Sequence, residues 1–465
     1  MNAPRVVLLV ALALVALVAL RDVVRIGDAL PWRQLYDFAD FYCAGAALND
    51  GADPYRYEPL RRCEHAVNTS ETYRTDPNRV VPAPLPPYDF PPFMLAARLS
   101  FTAARTLDAL AIVVAVAAAA AGLAMLGLPL EVAGLALLLP AGYVLLGAGQ
   151  LVPFALVALV FCGVALRRSR FAPAGVLGAL TLAEPHLGIP VCVALLFWVP
   201  QCRAALVAAA LALAALGALI VGIAGFDEFV RGVLPAQATA EAGYAYQYSL
   251  TYLLTHAGLA AGPAVALGEF SYAGMTAAGV WLARRTWAAT GRTELVAFLP
   301  AACSVIAGPY VHMVDLPFAI PAALVLACAL DGLARSFAIA ATTLLAVPWI
   351  TVWIVKKLFA ATLVTVALIL LRLRAGVAFS VVLFLAIAVT IYALELAPPA
   401  PMISMTPAGI APAELAQHAW AATVAHFVTP SPLWLLVKLP TWIALGALLA
   451  AAIAAPQSAR ATPRS

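Results

Sequence analysis

Charged residues are scarce in this chain: Asp, Glu, Lys and Arg make up only 11% of its 465 residues, while 64% are hydrophobic. A soluble domain carries about 25% charged residues. A large soluble protein with one buried core is therefore disfavoured, because even large domains keep much polar surface. Apolar runs long enough to cross a hydrocarbon core of about 30 Å recur along the chain. The composition thus predicts an all-α, polytopic integral membrane protein with almost no soluble domain.

The chain also lacks the short motifs of several well-known catalytic centres. It contains no Walker loop, no H-E-x-x-H zinc motif and no credible Ser/His/Asp arrangement. Its seven cysteines show no C-x-x-C spacing and most lie in apolar runs, so we predict no bound metal and no cofactor. Cys43 and Cys63 share a polar loop, where a disulfide is possible if that loop is extracytoplasmic. Two unpaired cysteines are the favoured interpretation.

The hydrophobic segments predict a single transmembrane domain, 1–465, with roughly 12–14 helices. Val6–Leu20 resembles the core of a signal peptide, but no clear cleavage site follows, so we interpret it as a retained first span. Pro185 and its polar neighbours break the stretch 172–200 into two short segments. The other spans are predicted near 104–126, 129–147, 150–166, 203–225, 259–283, 293–308, 313–331, 336–355, 358–371, 375–396 and 433–455.

Arginines cluster in the short gaps between apolar runs, and such clusters mark cytoplasmic loops. With Arg5 inside, the clusters at 167–170, 203, 284–285, 335 and 372–374 and the tail 456–465 also fall inside, and only Lys356 and Lys357 break the pattern. Three polar stretches then fall outside: a long first loop at 21–91, a second at 226–249 and a third at 398–432. The basic clusters are brief and lack interleaved aromatics, so they indicate a lipid bilayer as partner and no nucleic acid.

The unusual polar residues gather on the outer side of this topology. Ionisable groups at membrane depth are costly and usually face a cavity or a pathway. Acids, histidines and aromatics suit sugar chemistry, in which a carboxylate takes a proton from a hydroxyl, and they equally suit a proton-coupled transporter. These residues are Asp37, Asp40, Asp53 and Asp89 in the first loop, Gln150 at the start of a span, Glu184 and His186 at the helix break, and His312 and Asp315.

Short motifs in sequence order carry a resemblance to a known family. Asp37–Tyr42 and Gly51–Tyr55 resemble the D-F-x-x-F/Y-Y and G-x-D-P-Y signature of glycosyltransferase family 87. Four further elements resemble family motifs in order between about residues 37 and 320: Tyr88–Pro92 (Y-x-x-P-P), Gly149-Gln150 (G-Q), Gly175–Gly188 (here G-x-x-G, followed by P-H-L-G) and Pro309–Leu316 (P-Y followed by D-L). The C-terminal third of the chain matches in hydropathy alone.

The resemblance implies a GT-C-like enzyme of a bacterial plasma membrane, with an active site that faces outward. Its donor would be a polyprenyl-phosphate-linked sugar, with mannose expected, and transfer to a lipid or glycan hydroxyl would be inverting. It implies Asp37 as catalytic base, ionised at neutral pH with an ordinary pKa near 3.9. Asp40, three residues on and on the same helical face, is the reserve. Implied substrate-binding residues are Tyr42, Asp53, Tyr55, Tyr88, Gln150, Glu184, His186, His312 and Asp315.

One position departs from the family pattern, and alternative functions stay open. The family usually has Lys before Pro-His, whereas this chain has Glu184, so a phosphate contact could come instead from Arg56, Arg61 or Arg231. Asp37 could also serve only to cap a helix that starts at Phe38. A transporter or flippase for a lipid-linked solute is the second candidate, and it should show matching broken helices. A non-catalytic scaffold is the third.

Overall fold

The computed structural model describes residues 35–68, 76–397, 414–425 and 432–461. Within these ranges the chain is helical, and its β-structure consists of isolated bridges such as the one between Gln247 and His312. The predicted first span, Val6–Leu20, lies outside the described residues, as do most of the predicted third loop and the last residues of the tail. The prediction of an all-α protein is confirmed for the described ranges.

The described part of the chain contains the following helices. They are α1 (Tyr36–Asn49), α2 (Tyr57–Val67), α3 (Phe90–Ala96), α4 (Phe101–Met125), α5 (Leu130–Leu137), α6 (Val144–Ala148), α7 (Val152–Arg167), α8 (Phe171–Leu180), α9 (Pro185–Trp198), α10 (Arg203–Glu228), α11 (Leu234–Ala240), α12 (Leu250–His256), α13 (Ala261–Thr290), α14 (Leu295–Ser304), α15 (Ile320–Ala329), α16 (Gly332–Leu345), α17 (Trp349–Ile354), α18 (Phe359–Arg372), α19 (Val377–Leu396), α20 (Ala416–Ala425) and α21 (Leu433–Ala461).

Several of these helices have the length and composition of membrane spans. Five stretches in the described part are long and apolar enough to cross a bilayer: Phe101–Met125, Leu130–Ala148, Pro200–Ala240, Val377–Leu396 and Leu433–Ala455. Large apolar side chains stand exposed on these stretches, including Leu219 (83% exposed), Ile223 (82%) and Val377 (81%). Exposure of such an apolar surface to water is unfavourable, whereas lipid tails would cover it. The protein is therefore membrane-embedded.

The predicted helix break at Pro185 is confirmed. The helix α8 passes into a 3₁₀ turn, Thr181–Ala183, and Glu184 then leaves the helical region with φ −121° and ψ 88° before α9 begins. The predicted span 336–355 is likewise divided, into α16 and α17, with Pro348 just before α17. By contrast, the predicted second polar loop is helical up to Ala240, so its irregular part is 241–249.

A separate small core lies beneath the first polar loop. It includes Phe38, Phe41, Phe90 and Phe93, which are almost fully buried. Helices α1 and α3 cross closely at Gly45, where a Cβ atom would lie 2.4 Å from the carbonyl carbon of Phe93. This close crossing fixes α1, and with it the first-loop acids, against the membrane part of the chain.

Cys43 and Cys63 form a disulfide, with Cα atoms 5.5 Å apart. The favoured interpretation of two unpaired cysteines was therefore wrong. The two cysteines are 20 positions apart. The end of α1, a turn and the first part of α2 lie between them, and this turn brings the two thiols together although their spacing in sequence matches no motif. The disulfide ties α2 to α1.

Candidate functional site

Two irregular segments, 241–249 and 305–315, lie side by side and form one wall of the site. The amide of Tyr248 donates to the carbonyl of Val311 at 2.6 Å, and the amide of Met313 donates to the carbonyl of Tyr246 at 3.0 Å. The side chain of Gln247 accepts from the amide of Val311 at 2.9 Å. These bonds satisfy backbone groups that no helix pairs.

The break between α8 and α9 contacts the segment 305–315 of this wall. His186 Nε2 lies 3.1 Å from Asp315 Oδ2, and His186 Nδ1 lies 4.0 Å from Glu184 Oε2. Asp315 is 2% exposed and also accepts a hydrogen bond from the amide of His312 at 2.7 Å. The structure therefore brings together four of the residues that the sequence singled out, Glu184, His186, His312 and Asp315, from segments far apart in the chain.

Asp37 and Gln150 form the third part of the candidate site. Gln150 Nε2 donates to Asp37 Oδ2 at 2.5 Å. Gly149 makes this contact possible, because its φ of 78° suits glycine and a Cβ there would lie 2.8 Å from the Cβ of Phe38. Helix α1 begins at Tyr36, so Asp37 lies in its first turn, and no side chain caps it. The alternative that Asp37 caps a helix starting at Phe38 was wrong.

The surroundings of Asp37 and Asp40 affect the pKa values of the two carboxyl groups differently. Burial raises the pKa of Asp37 to about 6, and the hydrogen bond from Gln150 keeps it lower than burial alone would. Burial and the charge of Glu64 raise the pKa of Asp40 well above its usual value. Neither carboxyl oxygen of Asp40 has a hydrogen-bond partner among the residues that the structure describes. Burial thus favours the neutral form of both acids; the hydrogen bond from Gln150 opposes this shift at Asp37, whereas the charge of Glu64 adds to it at Asp40.

Glu241 is a site residue that the sequence analysis missed. Its Oε1 accepts from Trp420 Nε1 at 2.8 Å and its Oε2 from Gln247 Nε2 at 2.8 Å. Burial raises its pKa to about 7, and the charge of Asp37 adds to the shift. Lys438, fully buried on the last helix, donates to the carbonyl of Gln247 at 2.6 Å. No motif marks Glu241, although it precedes an alternating run of tyrosines.

Tyrosines fill the space between these groups. The ring of Tyr310 packs edge-on against His186, with centroids 5.7 Å apart, and Tyr244 stacks on His312 at 5.9 Å. Burial raises the pKa values of Tyr244 and Tyr310 well above their usual range, and the charges of Glu241 and Asp37 raise them further. Asp37 is thus within electrostatic reach of the tyrosines that contact the two histidines, and the site is one cluster.

The chain matches no protein-family model, and it has no significant match among curated proteins or solved structures. The resemblance to glycosyltransferase family 87 therefore rests on motifs in sequence order. The structure adds their spatial relation: the D-F, G-Q, P-H-L-G and P-Y…D-L elements contribute side chains to the same cluster.

The charge of Arg79 acts on groups of this cluster. It lowers the pKa of Tyr36 against the larger effect of burial, and it also opposes the rise in the pKa of Asp40 and of Tyr244. The arginines suggested by sequence have carboxylate partners instead. These pairs are Arg56 with Asp53 (2.9 Å) and Glu228 (2.7 Å), Arg61 with Glu58 (3.1 Å) and Arg231 with Asp227 (2.7 Å).

Four other predicted site residues have contacts that shape the first loop. The hydroxyls of Tyr42 and Tyr55 donate to the carbonyls of Leu99 and Leu85 at 2.9 and 2.8 Å. Asp53 accepts from the amide of Tyr55 at 2.9 Å, in addition to its pair with Arg56. Tyr88 donates to the carbonyl of Leu182 at 2.8 Å and so holds the helix break. Tyr42, Asp53 and Tyr55 therefore make contacts that stabilise the first loop, while Tyr88 borders the cluster.

Proposed function

We propose that this protein is a GT-C-like membrane glycosyltransferase that uses a polyprenyl-phosphate-linked sugar, with mannose expected, and a lipid or glycan hydroxyl as acceptor. The observation that carries the proposal is the Asp37–Gln150 pair: a partly buried carboxylate, held by an amide, with a pKa of about 6. A general base works best when its pKa lies near the operating pH. Tyrosines and histidines beside it offer the rings and hydrogen-bonding groups that sugar binding uses.

The geometry suggests a single displacement. The Asp37 carboxylate takes the proton of the acceptor hydroxyl as its oxygen forms a bond to the anomeric carbon of the sugar. The bond from that carbon to the phosphate oxygen breaks on the opposite side, so the configuration inverts and polyprenyl phosphate leaves. The charge of Arg79 acts on Tyr36 and Tyr244 and so favours an anionic phosphate on this side of the cluster.

Lipid-facing helices beside the cluster suit the donor's tail. Helix α10 packs against the turn Pro87–Asp89, which contains Tyr88, and it exposes Leu219 and Ile223. A polyprenyl chain could lie along such a surface while its head group reaches the polar cluster. We further propose that the shorter apolar helices, together with Val6–Leu20, complete the 12–14 spans expected of a GT-C-like fold.

We place the active site on the outer face of a bacterial plasma membrane. Disulfides persist in oxidising compartments, and the Cys43–Cys63 bond lies in the same loop as Asp37. The arginine distribution supports the same orientation through the positive-inside rule.

One observation favours the transporter alternative. A second break, 305–315, separates α14 from the 3₁₀ turn that leads into α15, and it faces the break at Glu184 across the His186–Asp315 contact. The sequence had shown only one break. Paired broken helices at a binding site are typical of secondary transporters. This alternative predicts movement of a solute and no new glycosidic bond.

A sided transfer assay tests the proposal. Right-side-out proteoliposomes would contain labelled mannosyl-phosphoryl-polyprenol and bacterial membrane lipids as acceptors. We expect label to move into a second lipid or glycan product, and we expect a membrane-impermeant mannosidase added outside to remove it. Heat-denatured protein is the control. Donor that crosses the bilayer without forming a product would instead support the transporter.

The pH dependence of transfer should depend on Gln150. Because Asp37 must be ionised to act as a base, kcat/KM should fall as the pH drops through about 6. Gln150→Leu removes the hydrogen bond that lowers the pKa of Asp37, so the acid limb should move upward by about one pH unit. Gln201→Leu, at an exposed glutamine of the turn Pro200–Cys202, is the matched control. An unmoved limb in Gln150→Leu would contradict the assignment of Asp37.

A further inference from the structure

We propose that Glu184, His186 and Asp315 bind one divalent transition-metal ion, with Mn²⁺ and Zn²⁺ as the fitting class. One ligand atom from each residue can be chosen so that all three lie within 4.8 Å of one another. Ligands about 2.0–2.2 Å from a shared ion lie roughly 3–3.5 Å apart. His186 Nε2 and Asp315 Oδ2 already have this spacing, at 3.1 Å. Glu184 supplies the third residue of the set.

The surrounding contacts orient these ligands. The amide of His312 donates to Asp315 Oδ2 at 2.7 Å, and Tyr272 donates to the carbonyl of His186 at 2.8 Å. The ring of Tyr310 packs edge-on against the imidazole of His186. Metal sites depend on such outer contacts, because they hold a ligand at the angle that coordination needs.

The cluster holds two carboxylates and one imidazole that faces both of them. Glu184 and Asp315 lie together, and no lysine or arginine of the described ranges forms an ion pair with either of them. His186 Nε2 is buried and, despite its distance of 3.1 Å from Asp315 Oδ2, has no hydrogen-bond partner of good geometry within the described part of the chain. Buried charges are normally paired or coordinate a metal. A bound cation would satisfy both carboxylates and the nitrogen lone pair.

The donor set selects the kind of ion. One imidazole nitrogen with two carboxylate oxygens suits Mn²⁺ or Zn²⁺, whereas Mg²⁺ and Ca²⁺ prefer oxygen ligands alone. The side chains of Glu184 and His186 are 16% and 24% exposed, so an ion could enter from water and keep a position open to it. If the proposed function is correct, that position would accept an oxygen of the donor phosphate. Binding of the ion itself does not depend on that function.

Titration with Mn²⁺ alone tests the site. Tag-free full-length protein in detergent would be titrated while the electron paramagnetic resonance signal of free Mn²⁺ is followed. We expect one bound ion per chain, displaced by Zn²⁺ and hardly by Mg²⁺. Glu184→Gln and His186→Gln should each weaken binding about tenfold or more. Glu58→Gln, at a carboxylate that pairs with Arg61 on α2, should bind as the wild type does.

A second measurement needs no variant. Electron-spin-echo modulation of the bound Mn²⁺ in the wild-type protein should show one directly coordinated ¹⁴N nucleus, because a single histidine is a ligand. Absence of saturable binding at millimolar Mn²⁺, absence of the ¹⁴N signal, or equal affinity in the folded Glu184→Gln and His186→Gln variants would each overturn the metal site. Any of these results would leave the transfer assay unaffected, so the two proposals fail separately.

Discussion

Asp37→Asn should lower sugar transfer by about two orders of magnitude or more while the protein remains folded. The amide keeps the size and the acceptor oxygen of the carboxylate, so the contact from Gln150 can persist. It cannot take a proton from a hydroxyl at neutral pH. The measurement is single-turnover transfer in proteoliposomes with saturating donor, accompanied by the apparent Tm of the purified variant.

Asp40→Asn is the matched comparison for this variant. It makes the same change three residues along α1, at a side chain that is 1% exposed. Burial and the charge of Glu64 raise the pKa of Asp40 and so favour its neutral form, which resembles Asn. We therefore expect transfer to fall less than tenfold. Near-normal transfer in Asp37→Asn together with a large loss in Asp40→Asn would make Asp40 the base.

Removal of the disulfide should have the largest effect on stability. The double variant Cys43→Ala/Cys63→Ala frees a 20-residue loop, and loops of this size contribute about 3 kcal/mol through the unfolded chain. We expect a lower apparent Tm in thermal scans followed by circular dichroism. Reductant should lower the Tm of the wild type to a similar value and leave the double variant unchanged.

Cys328→Ser controls for general effects of thiol substitution, since Cys328 is a free, exposed cysteine. Its Tm should match the wild type and should fall in the same way with reductant. A wild-type Tm that does not respond to reductant, and that equals the Tm of the double variant, would show that Cys43 and Cys63 are unpaired in the membrane.

The elements that sequence predicts well are those with a local physical cause. Long apolar runs predict helices because bilayer thickness sets their length, and the helix break at Pro185 follows from the missing amide of proline. The polar residues at 184–186 and 312–315 could be singled out because ionisable groups between apolar runs are costly, and the structure brings His186 and Asp315 into contact. That these two segments contact each other could be expected only because the predicted topology puts both on the same side of the membrane.

Contacts between distant segments could not be predicted in this way. The disulfide depends on how α2 folds back on α1, and cysteine spacing carries no such information. Glu241 and Arg79 lie in polar stretches among other charged residues, and only the packing of α20 and of the segment before α3 brings them to the cluster. Cysteine spacing predicts no bound metal, but that argument applies to thiolate ligands. It leaves sites made of imidazole and carboxylate ligands open.

The buried Lys438 has a consequence for biogenesis. Its ammonium donates to the carbonyl of Gln247, which precedes it by 191 residues. At 5–20 residues per second, the ribosome needs roughly 10–40 s to make the intervening chain. Segment 305–315 is made within this time, and the wall that it forms with 241–249 then lacks its last partner until Lys438 arrives. Until the final helix arrives, the carbonyl of Gln247 therefore lacks the donor that it has in the folded protein.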